Sequence, residues 1–174
     1  MGNDLHLNFM ASNISQIPSF FWMLHHPARL IALGLGSGLL RPAPGTWGTV
    51  LAWLSWGLFL QAQSFLVQAS ALTLAFVLGT KACHITGKHL GAADHSTIVM
   101  DEIVAFWLVL WLVPSTLLAQ GYAFILFRLF DILKPQPIRF FDNRWKHGFG
   151  VMFDDILAGF YTLLVFAIGQ RLLT

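Results

Sequence analysis

The sequence predicts an all-α, polytopic integral membrane protein, and three observations carry that prediction. Hydrophobic residues make up 56% of the 174-residue chain against 10% charged residues, and the mean hydropathy of +0.68 lies far outside the range of a soluble globular domain. The apolar residues gather into stretches without period-two alternation, so helices are expected to satisfy the backbone in lipid, not barrel strands. The charged residues collect between those stretches on one side only. A chain of this length reads as one membrane-embedded domain, residues 1–174, with about four or five spans of roughly 17 to 25 residues each.

Taken from the N-terminus, Met1 to Ser19 holds Asp4 and no cationic segment leading to an apolar core and a cleavage site, so no cleaved signal peptide is expected. Ile17 to Leu24, followed by His25, His26 and Pro27, reads as an interfacial helix. Next come Gly34-Leu35-Gly36-Ser37-Gly38 and Pro44-Gly45-Thr46-Trp47-Gly48-Thr49. Their amides suit either an anion nest or a flexible or re-entrant loop, and no Gly-Lys-Ser/Thr ending makes them a nucleotide P-loop. Five apolar stretches follow: Thr49 to Leu60, Phe65 to Gly79, Ile103 to Ala119, Gly121 to Leu133 and Ile156 to Leu173. The first and fourth are short for a span of about 20 residues, so flanks, tilt or re-entry must complete them.

In a five-span arrangement Arg29, Arg41, Lys81, Lys88, Lys134, Arg139, Arg144 and Lys146 fall on one side. The turns on the other side, Gln61 to Ser64 and Ser115 to Gln120, carry no charge. The positive-inside rule makes the charged side cytoplasmic, with Arg171 near a periplasmic end and Arg128 inside a span as exceptions. Asp94, Asp101, Glu102, Asp131, Asp142, Asp154 and Asp155 lie at that same face. A transport pathway would place acids near the midplane at broken helices, whereas acids converging at one face favour chemistry at a membrane surface.

Composition also narrows the chemistry. A net charge of +2 without a basic, aromatic-interleaved run argues against nucleic-acid binding. The single cysteine, Cys83, permits neither an intrachain disulfide nor a zinc site of several thiolates, and no phosphate-binding run follows it. The seven histidines lack HExxH spacing and are expected to be solvated in loops.

The acids and cations that remain fall into three groups at three of the apolar stretches. Asp101 and Glu102 open the third stretch, and Asp154 and Asp155 repeat the arrangement at the last one. Each pair is either a helix-start pair favoured by the dipole or a source of ligands for a hard cation such as Mg2+, which takes oxygens from several elements. Neighbours on a helix diverge by about 100°, so the members of each pair are expected to do different work. Arg128, Asp131 and Lys134 follow at i, i+3 and i+6. They form either a phosphate-facing set or an Arg128–Asp131 ion pair that locks helices together. Pro135 and Pro137 end that helix and leave Lys134 at the interface, where a phosphate can meet it.

Four ordered blocks together resemble the phosphatidylglycerophosphatase A family. They are Gly36-Ser37-Gly38 with Pro44-Gly45-Thr46, Asp94 through Glu102, Phe127 through Arg139, and Gly148 through Gly159. The resemblance implies Mg2+-dependent hydrolysis of phosphatidylglycerophosphate to phosphatidylglycerol and phosphate, at the cytoplasmic face of a bacterial inner membrane. It implies Asp101, Glu102, Asp154 and Asp155 as metal carboxylates and Asp131, Asp101 and Asp155 as catalytic ones. Arg128, Lys134, Arg139 and Thr46 become the phosphate contacts. Asp131 is the candidate base, with a covalent aspartyl-phosphate as the alternative. The expected partners are the anionic phospholipid substrate and surrounding lipid, with no obligatory protein partner. A small membrane transporter or ion pathway is the rival reading. A CDP-alcohol phosphotransferase would need a long, spaced Asp signature that this chain lacks.

Overall fold

The structure, a computed structural model, describes residues 18–136, 138 and 147–173, and all its regular elements are helical. Two short helices, α1 (Phe20–Leu24) and α2 (Pro27–Ala32), lead into a 3-10 segment, Gly34–Leu39. Then come α3 (Pro44–Ser55) with a π turn at Trp56–Leu60, α4 (Phe65–Leu90), α5 (Met100–Leu112), α6 (Leu117–Leu133) and α7 (Gly148–Leu173).

Each boundary has a local cause. Ser19 Oγ accepts from Trp22 N at 3.1 Å and His26 Nδ1 from Ala28 N at 3.2 Å, which caps α1 and α2. Pro44 opens α3, where its missing N–H costs nothing. Gly91, at φ +70°, closes α4 in the left-handed conformation. Pro114 stops α5 after thirteen residues, about 20 Å of helix against a hydrocarbon core of about 30 Å.

Two helices, Phe65–Leu90 and Gly148–Leu172, are long and apolar enough to cross a membrane by themselves. α4 exposes Phe65, Leu66, Val67, Leu74, Val77 and Leu78, an apolar face suited to lipid. These two helices differ from the predicted stretches. α4 runs on past Gly79 with Lys81 and Lys88 in its last turns, and α7 begins at Gly148, well before Ile156. The apolar run marks what lies in lipid, while the helix continues into the polar region for as long as its backbone bonds do.

α5 is the hub, packed against α3, α4, α6 and α7. Ile103, Val104, Ala105, Phe106, Val109 and Leu110 are all buried, so this helix is enclosed nearly all round. At its far end a polar clasp ties α3 to α6: Trp53 Nε1 donates to Gln120 Oε1 at 2.8 Å, and Gln120 Nε2 donates to Gln61 Oε1 at 2.9 Å. At the near end the glycine-rich segment acts as a scaffold. A Cβ on Gly38 would collide with the Thr97 carbonyl, and Val99 N donates to Ala32 O at 2.9 Å, so the segment sets where α5 begins.

Candidate active site

The first turns of α3 and α5, the last turns of α6 and the second turn of α7 meet at one end of the bundle. Asp101 and Glu102 enter from α5 and Asp155 from α7, with one ligand atom of each within 4.8 Å of the others. Asp101 Oδ1 accepts from Glu102 N at 3.1 Å, which orients it. Glu102 Oε2 and Asp155 Oδ2 are buried and bond to no protein donor. Burial of a carboxylate oxygen without a donor is costly. An enclosed set of oxygens from two helices fits a hard divalent cation.

Arg128 reaches this set from α6. Its Nη1 lies 2.6 Å from Asp131 Oδ2 and 3.6 Å from Glu102 Oε1, and it donates to Thr49 Oγ1 at 3.4 Å. Its Nε is buried with no protein acceptor. The guanidinium therefore ties α6 to both α5 and α3, and the Arg128–Asp131 pair foreseen as a structural lock also borders the carboxylate group. Carboxylates outnumber cations here, a balance that favours binding positive charge.

Gly45 makes this convergence possible. A Cβ at that position would run into Glu102 Oε1 and stand 3.0 and 3.1 Å from Arg128 Nη2 and Nη1. Only a bare backbone lets α3 approach the pair so closely. One turn on, Thr49 is fully buried and donates to Gly45 O at 2.8 Å.

Asp154 is buried and ion-paired through Oδ2 with Lys134 Nζ, so it stands apart from the group formed by Asp101, Glu102 and Asp155. The 100° between helical neighbours separates the two α7 acids, both well inside the helix instead of at its start. It does not separate Asp101 and Glu102, which both reach the group, contrary to the expectation of different work for adjacent acids. Thr46 is half-buried in the first turn of α3, with its N–H bonded to Ala43 O at 3.0 Å. Thr49 is the threonine that touches Arg128; the helical i, i+4 spacing from Gly45 was its only sign in the sequence. Arg139 and Asp142 lie outside the described residues. His95 departs from the expected solvation: it is buried, with Nδ1 2.8 Å from Thr97 Oγ1. Burial, with Arg41 nearby and Asp94 opposing, pushes its pKa below the usual 6.5.

Fold and site together define the class, a helical membrane protein with an enclosed acid–arginine cluster at one end of its bundle. The phosphatidylglycerophosphatase A family model matches residues 30–170. A phosphatidylglycerophosphatase A from Haemophilus influenzae is 44% identical over 146 residues, covering 82% of this chain and 88% of its own. One from Escherichia coli K12 is 39% identical over 141 residues, with coverages of 78% and 79%. A Bacteroides thetaiotaomicron relative named "Putative phosphatidylinositol-3-phosphatase" is 37% identical over 147 residues, covering 81% of this chain and 92% of its own. No solved structure matches the chain. The chain belongs to the phosphatidylglycerophosphatase A family, and it is a phosphatase.

Proposed function

We propose that the chain removes the terminal phosphate of phosphatidylglycerophosphate, giving phosphatidylglycerol and inorganic phosphate, in a Mg2+-dependent reaction at the cytoplasmic face of a multi-pass inner-membrane protein of four or five spans. The observation that carries this reading is one enclosed site with carboxylate oxygens fit for a cation beside an arginine fit for a phosphate. Asp101, Glu102 and Asp155 would hold the metal, which would supply positive charge to offset that of the phosphoryl group.

The other steps fall to the chain's own groups. Arg128, with Nε still unengaged by protein, steadies the phosphoryl oxygens. Asp131, held through Oδ2 by Arg128, takes the proton of the attacking water as the new P–O bond forms. The ester P–O bond breaks, and the lipid glycerol oxygen leaves and gains the proton that Asp131 took, directly or through water. Lys134 and Thr46 stay as candidate outer phosphate contacts, and Arg139, outside the described residues, stays a candidate by the family resemblance alone. Lys134 works from its pairing with Asp154, which aligns the ends of α6 and α7.

Phosphate release by purified protein in mixed micelles tests this reading, with phosphatidylglycerophosphate and phosphatidylinositol-3-phosphate compared under Mg2+ and under chelation. We expect hydrolysis of the first lipid only, abolished by chelation. Preference for the inositide, or full activity in chelator, would overturn the substrate or the metal assignment respectively. Cysteines placed between Gly91 and Thr97 should react with an impermeant maleimide only from the cytoplasmic side, since native Cys83 is buried.

A further inference from the structure

We infer that a groove between α2, α3, α4 and α5 seats one acyl chain of the phospholipid substrate. The inference rests on the lipid-phosphate reading above and extends it to chain recognition. The groove encloses about 390 Å³, with walls from Ile31, Leu51, Phe59, Ala71, Ile103 and Trp107. Its polar side-chain groups are already engaged with protein. Ser55 Oγ donates to Ala52 O at 3.1 Å and accepts from Trp107 Nε1 at 3.1 Å, and the same indole N–H lies 3.0 Å from Ala52 O. A ligand in the groove meets an apolar wall, so an aliphatic chain is as well solvated there as in lipid, whereas a polar headgroup would lose its hydration.

Length and position fit the same ligand. From Leu51 to Leu60 the wall extends about 13 Å at roughly 1.5 Å per residue, close to one leaflet of a hydrocarbon core about 30 Å thick. The groove reaches the same level along α5 as the site, because Met100 and Ile103 line it and flank Asp101 and Glu102 in the first turn of that helix. Helical geometry turns those carboxylates roughly 130° away from the groove wall. Chain and phosphate thus lie on opposite flanks of the α3–α5 crossing. That crossing is thin, since Gly45 abuts Glu102 and Gly48 abuts Val99. A lipid whose headgroup arcs over the first turn of α3 reaches both flanks, with exposed Leu35 and Leu40 as an apolar rim beneath it. Anchoring of this kind separates a membrane phosphomonoester from soluble phosphate esters that share its headgroup chemistry.

The test fills the groove from α4 with Ala71→Trp, remote in the chain from every residue of the carboxylate–arginine site. The full-length protein is assayed on dioleoyl phosphatidylglycerophosphate and on its deacylated, water-soluble counterpart. KM for the diacyl lipid should rise about tenfold, with KM and kcat for the soluble ester kept; an unchanged diacyl KM overturns the inference. Wild-type protein is also photolabelled with a phosphatidylglycerophosphate carrying a diazirine in one acyl chain. Label should map to α3, α4 or α5 at the groove and fall away with excess unlabelled substrate. Label elsewhere, label insensitive to that competition as for bulk lipid, or a second copy of the chain crosslinked across the groove would overturn it. The labelling decides the matter even where Ala71→Trp impairs both esters equally. Failure of the wild type to hydrolyse either ester would sink the substrate reading instead, with the groove still judged by the label.

Discussion

Replacement of Gly45 by alanine separates the geometry of the site from the stability of the fold. The new methyl group would collide with Glu102 Oε1 and stand 3.0 and 3.1 Å from the Arg128 nitrogens. Both neighbours are the far ends of flexible side chains, so they can yield, and overpacking of this sort costs about 1–3 kcal/mol. The displaced carboxylate is the larger effect: it must move by about 1 Å, and misplacement of that size costs on the order of 100-fold in rate. Gly169→Ala is the control, since a Cβ there meets nothing within 4 Å and alanine is favoured over glycine in a helix by about 1 kcal/mol. Phosphate release and thermal unfolding of both variants in the same detergent give the comparison. We expect Gly45→Ala to fold with a modestly lower Tm and lose about two orders of magnitude in turnover, while Gly169→Ala keeps full activity. Near wild-type turnover in Gly45→Ala would refute the argument that Glu102 and Arg128 must sit where α3 places them.

Other predictions follow from the same geometry. Asp101→Asn, Asp131→Asn and Asp155→Asn should each reduce turnover by on the order of 10²- to 10³-fold, with partial recovery at high Mg2+ for Asp101 and Asp155 but not for the base Asp131; near wild-type activity in two of the three would discard the site. Asp142→Asn should be neutral in the same assay, on the ground of sequence alone, since Asp142 falls between the acidic clusters. Cys83→Ser should keep its turnover, because the thiol is buried in the core beside Met23 and Met152 and no thiolate step is needed; a folded but inactive variant would contradict the carboxylate scheme. His95 has its pKa lowered by burial, so its contribution to stability is complete above about 6.5 and is lost as pH falls below that value. Thermal unfolding between pH 8 and 5 should show that loss, and His95→Asn should flatten it.

Much of this protein was legible along the chain. Composition showed that lipid is the solvent, and the ordered blocks around Asp101, Arg128 and Asp155 pointed to the family that the match over residues 30–170 establishes. Helix ends were legible at Pro135, where punctuation is local; they were missed at Pro114, which ends α5 at Leu112 inside the predicted stretch Ile103 to Ala119, and where a helix outruns its apolar segment, as at Gly148 and Leu90. A hydropathy pattern reports which solvent a residue prefers; it is blind to a backbone that keeps its hydrogen bonds beyond the lipid.

The sequence by itself determined an all-helical membrane protein with acids gathered toward one end, because transfer of side chains between water and lipid depends on residue type and order alone. Tertiary structure decided which of two adjacent acids faces the site: Asp155 joins Asp101 and Glu102, while Asp154 turns to Lys134. It also decided that Thr49, not Thr46, meets Arg128, and that His95 is buried. Those choices depend on the rotation of each helix about its axis and on how closely two backbones cross. Both are set by packing partners far away in the chain, at contacts such as Gly45 on Glu102 and Gly38 on Thr97.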